Sequence, residues 1–226
     1  MSTLYYSQSN DKTYSMSRVF GWMFFAILLT AITAFGLPYL LVGLNADNLY
    51  YPIMIGGLIS VFILTFVGQF IIAKTKSKAL AITIFSLFAI SMGIWVSPLV
   101  LIYDLQVVGT SLLVTSVIFG VMAIYGAVTK RDLTGFGNVL FMLVIGGLIV
   151  SVINLFIANS TIDWVISYVL LGVYIGFVAY DVQNVKNLAE SGNLTSNIAL
   201  IMALHLYIDF VYIFIRLLSI IGRSRD

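Results

Sequence analysis

Cysteine is absent from the 226 residues, histidine occurs once, at His205, and proline only three times. Without thiols the chain forms no disulfide, no thiolate nucleophile and no cysteine-ligated metal centre. A single imidazole also excludes zinc sites that need two or more. Charge is scarcer still. Eleven Lys or Arg and nine Asp or Glu make up 9% of the chain, where a soluble domain carries about 25%. A net charge of +2 with no basic run offers nothing to nucleic acid.

What replaces charge is apolar length: 61% of the residues are hydrophobic. An uncharged apolar stretch of about 20 residues crosses a bilayer as a helix. Charges and turn residues divide the chain into seven such stretches, at approximately 20–44, 52–73, 79–102, 106–128, 136–158, 164–185 and 198–222. Continuous runs of this kind exclude barrel strands, which alternate with period two. The expected fold class is an all-α polytopic membrane protein. Residues 1–19 form an N-terminal tail, 20–222 a seven-helix transmembrane domain and 223–226 a short C-terminal tail. The first stretch is too long for a signal-peptide core and has no small-residue cleavage site after it, so it reads as a retained span.

Loop charge predicts the orientation. Lys12, Arg18, Lys74, Lys76, Lys78, Lys130, Arg131 and Lys186 fall in the N-terminal tail and the even loops. The odd loops hold only Asp47, Asp104 and Asp163. Basic residues mark the cytoplasmic side, which places the N-terminus and the even loops there. Arg223 and Arg225 then lie on the other side, unless the last segment is re-entrant. Its length favours a full crossing. Short tails favour a bacterial cell membrane.

IGGLI occurs at 55–59 and again at 145–149, in the second and fifth spans. Those spans would run in opposite directions, as in an inverted repeat of three helices. Gly172 and Gly176 stand four apart, a spacing that permits close helix approach.

Ionisable residues within hydrocarbon are costly and mark candidate sites. Here they gather in the last two spans, as Asp181, His205, Asp209 and Arg216. His205, Asp209, Tyr212 and Arg216 share one helical face over about 16 Å. If that face meets the sixth span, Asp181 and Asp209 share a site, with Lys76 or Arg216 as counter-ion. Paired carboxylates away from water do not both ionise cheaply and tend to share a proton. Holding that proton closes a path, and losing it opens one or attracts a cation. The same residues also fit a plain packing device, with Asp209 paired to His205 or Arg216, or Asp181 solvated at the headgroups. Two carboxylates plus carbonyls and water make a weak calcium site. An intramembrane aspartyl protease is disfavoured, because Asp209 stands in YID rather than Gly-x-Gly-Asp, and no activated serine is in view. No catalytic residue and no resident cofactor is expected.

LHLYIDFVYIFIRLLSIIG, AYDVQNVK and TKRDLTGFGNVLFMLVIGGLIVSVINLF resemble the final helix, the sixth-span end and the fourth-loop and fifth-span region of the Bax inhibitor-1 family. The resemblance implies a last helix wrapped by two three-helix layers. It implies a pH-sensitive calcium leak channel gated by an aspartate pair, matched here by Asp181 and Asp209. It also implies a basic residue after the second span that is tied to the closed state; Lys76 is the match. Where the family can have Arg there, Lys cannot make the bidentate pair. His205 is not expected from the family. Some relatives instead resemble membrane regulators that bind a protease or a cell-death protein without transport. The expected partners are therefore the lipid bilayer, calcium as the transported ion, and membrane proteins of unknown identity.

Overall fold

The computed structural model describes residues 15–223, and its ordered elements are all helical, with no strand among the described residues. Lys12 and Arg225 lie outside that range. The helices are α1 (Met16–Gly43), α2 (Tyr50–Ile63), α3 (Gln69–Lys74), α4 (Lys78–Ile102), α5 (Leu105–Val128), α6 (Thr134–Ile157), α7 (Ser160–Glu190) and α8 (Ser196–Arg223). A π-helical turn, Leu64–Gly68, joins α2 to α3, so that Tyr50–Lys74 forms one span. Among the described residues, seven helices are long and apolar enough to cross a membrane. The final helix is unbroken over 28 residues and is long and apolar enough to cross a membrane.

The ends are set by local chemistry. Ser77 Oγ accepts from Leu80 N at 3.3 Å and starts α4. Asn159 Oδ1 accepts from Thr161 N (2.9 Å) and Ile162 N (3.2 Å) and starts α7, as N-cap residues do for otherwise orphaned donors. Between α6 and α7 the chain reverses through Ala158 in the left-handed region, φ 53°. At 31 residues α7 is longer than the apolar run suggests, and its ends extend beyond a hydrocarbon core of about 30 Å.

The packing repeats. In the first half α4 lies against α1 and α2; in the second, α7 lies against α5 and α6. The central helix α8 packs on α1, α3 and α4 on one side and on α5 and α7 on the other. It is the most buried span, whereas α6 is the least. This is the expected last helix between two three-helix layers. The duplicated IGGLI takes part in it. A Cβ on Gly57 would stand 2.6 Å from Ile94 Cγ2 of α4, and one on Gly147 2.6 Å from Leu170 Cδ2 of α7. Of the GVYIG pair, Gly176 approaches Leu140, but Gly172 meets nothing within 4 Å.

Candidate functional site

Asp181 and Asp209 are both buried, at 6% and 4% exposure, although each lies well inside a spanning helix. α7 and α8 pack along each other, and the two carboxyl groups face one another across that contact. The tight seat of α7 begins on its other flank. Gly126 of α5 leaves room only for the backbone of Ala179, two residues before Asp181. Asn184, almost one turn on, also reaches the Asp181 carboxyl. Asp209 Oδ2 is buried and has no hydrogen-bond partner among the described residues. In a low-dielectric setting such an oxygen is costly unless a proton or cation meets it.

His205 lies one turn from Asp209 and close to Asp181. Its Nε2 is 3.1 Å from Gln69 Oε1. Gln69 is the first residue after the π turn, so that extra residue in the ladder sets the angle at which the amide meets α8. The sequence reading missed Gln69 because it is a lone neutral residue in an apolar run; only the cost of burying an amide marked it.

The two proposed counter-ions stand elsewhere. Lys76 is exposed in the loop before α4 and forms no ion pair among the described residues. The expected Lys76–Asp181 pair is corrected accordingly, since position along a loop does not fix where a flexible stem points. Arg216 does not pair with Asp209 either. It lies beside Tyr174 and Tyr212, whose rings stack at 4.8 Å with 5° between their planes. Its Nε is buried and has no hydrogen-bond partner among the described residues. Thus His205, Asp209, Tyr212 and Arg216 do share a face of α8, but only the first two meet the Asp181 site.

Gln183 lies in the same AYDVQ segment and is buried. Its Oε1 accepts from Leu133 N (2.8 Å) and its Nε2 donates to Arg131 O (2.7 Å). Lys186 Nζ donates to Ala127 O at 2.9 Å. Gln183 ties the α5–α6 loop to α7 and Lys186 ties the end of α5 to it, holding the segment that carries Asp181. No cluster of three or more His, Asp or Glu side chains suited to a resident metal occurs among the described residues.

Comparison with known proteins settles the ancestry of this arrangement. Residues 13–226 match the family described as inhibitor of apoptosis-promoting Bax1. This chain belongs to the Bax inhibitor-1 family. It is 34% identical over 215 residues to the inner membrane protein YbhL of Escherichia coli K12, covering 93% of this chain and 92% of that one. A protein of Deinococcus radiodurans is 33% identical over 219 residues, covering 93% and 90%. An uncharacterized membrane protein of Streptococcus pyogenes serotype M3 is 35% identical over 182 residues, covering 80% and 77%. The match to the Bax inhibitor-1 family includes both aspartate-bearing helices.

Proposed function

We propose that this protein is a pH-sensitive calcium leak channel, not an enzyme, gated by the Asp181–Asp209 pair. One observation carries the reading: two carboxyl groups from different spanning helices face each other in the buried interior. Such a pair holds one proton between its members and keeps α7 against α8. Loss of the proton adds like-charge repulsion at the helix contact, which favours separation. The same two carboxylates, with carbonyl and water oxygens, then meet a calcium ion weakly enough to release it. His205 and Asn184 on one side, and the unpartnered Oδ2 of Asp209 on the other, support a site that exchanges protons and cations. The E. coli relative is named an inner membrane protein; with the basic loops on one side, we place this chain in a bacterial inner membrane with its N-terminus in the cytoplasm.

The test is calcium flux into liposomes holding the purified full-length protein, from about pH 6 to pH 8. The reading expects flux that rises with pH, and a double variant, Asp181→Asn with Asp209→Asn, whose flux is flat across that range. Unchanged pH response in the double variant refutes the gate. If the wild-type protein passes no calcium, the chain is instead a non-transporting membrane regulator that acts by binding a protease or a cell-death protein.

A further inference from the structure

Arg216 is a cation within a spanning helix that forms no ion pair among the described residues. Among the described residues the carboxylate that acts on it is Asp163, at the end of the bundle opposite the basic loops. Asp163 is already engaged: it stands 3.9 Å from Arg223 and accepts from Asn154 Nδ2 at 2.6 Å. Asp209 lies seven residues away on the same helix and faces Asp181. Tyr174 and Tyr212 flank the guanidinium without neutralising it. A partly buried, uncompensated cation in hydrocarbon is expensive and calls for an anion from outside the protein.

The shape beside it shows where that anion comes from. α6 packs on α7, and a groove of about 320 Å³ separates α6 from the polar face of α8. Leu148 and Leu155 form one wall, Leu170 the floor, and Tyr212 with Arg216 the other wall. Leu148 and Leu155 are 61% and 80% exposed on the most lipid-facing span, so the groove opens sideways into the bilayer. An apolar trough about 16 Å long, with a positive charge toward one end, matches an amphiphile that has an anionic head. The long arginine stem can carry its guanidinium toward the headgroup level.

We propose that this groove is a binding site for an anionic phospholipid of the leaflet at the Asp163–Arg223 end. Arg216 holds the phosphate-bearing headgroup, and one acyl chain lies along Leu148 and Leu170. The site is independent of calcium passage and is tested without it. Full-length protein is placed in phosphatidylcholine bilayers at low salt, and electron spin resonance compares spin-labelled phosphatidylglycerol with spin-labelled phosphatidylcholine at the protein surface. The wild type favours phosphatidylglycerol about fivefold, and the preference outlasts salt that screens surface charge. Arg216→Gln reduces the ratio to about one. Arg216→Lys keeps most of it, and Leu148→Trp, on an exposed face, loses it with Arg216 in place. Equal affinity for the two lipids in the wild type overturns the site, as does a preference retained in Arg216→Gln. Should Arg216→Gln fail to fold, Leu148→Trp decides: a preference undiminished in that variant refutes groove binding.

Discussion

In the first half of the molecule α4 lies against α1 and α2, and in the second half α7 lies against α5 and α6. Yet the central helix is fastened to the two halves by different chemistry. Toward the first half α8 presents Tyr207, fully buried, whose hydroxyl meets Thr30 Oγ1 at 2.5 Å while Thr30 donates to Ala89 O at 2.9 Å. Toward the second it presents Asp209 against Asp181. A hydroxyl pair is neutral at every physiological pH, whereas a carboxyl pair changes charge. The repeated architecture therefore holds a hydroxyl seam, with the His205–Gln69 contact beside it, and a carboxyl seam on opposite sides of one helix. If the carboxyl pair is the gate, the second half is the part that moves.

The largest expected effect breaks that contrast directly. Replacing both Asp181 and Asp209 by Asn should abolish the pH response of calcium flux, which for a single proton reaches about tenfold per pH unit. Tyr207→Phe in the hydroxyl seam should leave the pH response as it is. Liposome flux on the two proteins side by side checks both; a Tyr207→Phe protein with a flattened pH response would show that the seams are not separate.

Next comes the spacing of the helices. Gly126→Leu pushes a side chain into the backbone of α7 at Ala179, which cannot yield without displacing Asp181. A cost of about 1–3 kcal/mol is expected, as for other overpacked interiors, read as a fall in thermal midpoint in detergent. Among the repeated glycines the halves should differ. Gly147→Ala meets only the flexible end of Leu170, while Gly57→Ala meets the stiff β-branched Ile94 at Cγ2 and Cβ and should cost more.

The division between the halves was partly legible beforehand. Uncharged runs placed the spans within a few residues, because a spanning segment must satisfy its own backbone and tolerates little charge. The concentration of Asp181, His205, Asp209 and Arg216 in the last two spans pointed to α7 and α8, since buried charge is too costly to be incidental. The duplicated IGGLI hinted at the repeat. What stayed hidden depends on side-chain direction. The π turn at Leu64–Gly68 has no signature in LTFVG, so the meeting of Gln69 with His205 could not be foreseen. Lys76 was near the right place in the chain but not in space. Gln183 stands in the AYDVQNVK segment that carries the resemblance, and its amide is spent on the Arg131–Leu133 backbone.

A smaller effect measures the hydroxyl seam. Tyr207→Phe removes one interhelical hydrogen bond while keeping the ring against Phe88, 6.1 Å between centroids. Hydrogen bonds between membrane helices are worth about 0.6 kcal/mol, so unfolding in mixed micelles should register a loss of that order. A much larger loss would mean that the first half, too, depends on its polar contact.

The smallest effect sharpens the contrast between carboxyl groups inside and outside the bundle. Asp132 lies in the α5–α6 loop, fully exposed, and its Oδ1 accepts from Thr134 Oγ1 at 2.6 Å and from Thr134 N at 2.9 Å. These bonds, the side-chain one first, favour the ionised form and hold the group below its ordinary 3.8. A depressed carboxyl stabilises the folded loop above its unfolded value, and that contribution is lost as pH falls through the folded one. Thr134→Val removes the hydroxyl bond and keeps the backbone bond. The Asp132 carboxyl carbon, followed by NMR from neutral pH downward, should titrate nearer to 3.8 in the variant than in the wild type. Calcium flux between about pH 6 and pH 8 should not change, because Asp132 stays ionised throughout that range. If Thr134→Val did alter the pH response, a loop carboxylate of the second half would be part of the gate, and the carboxyl seam would extend beyond Asp181 and Asp209.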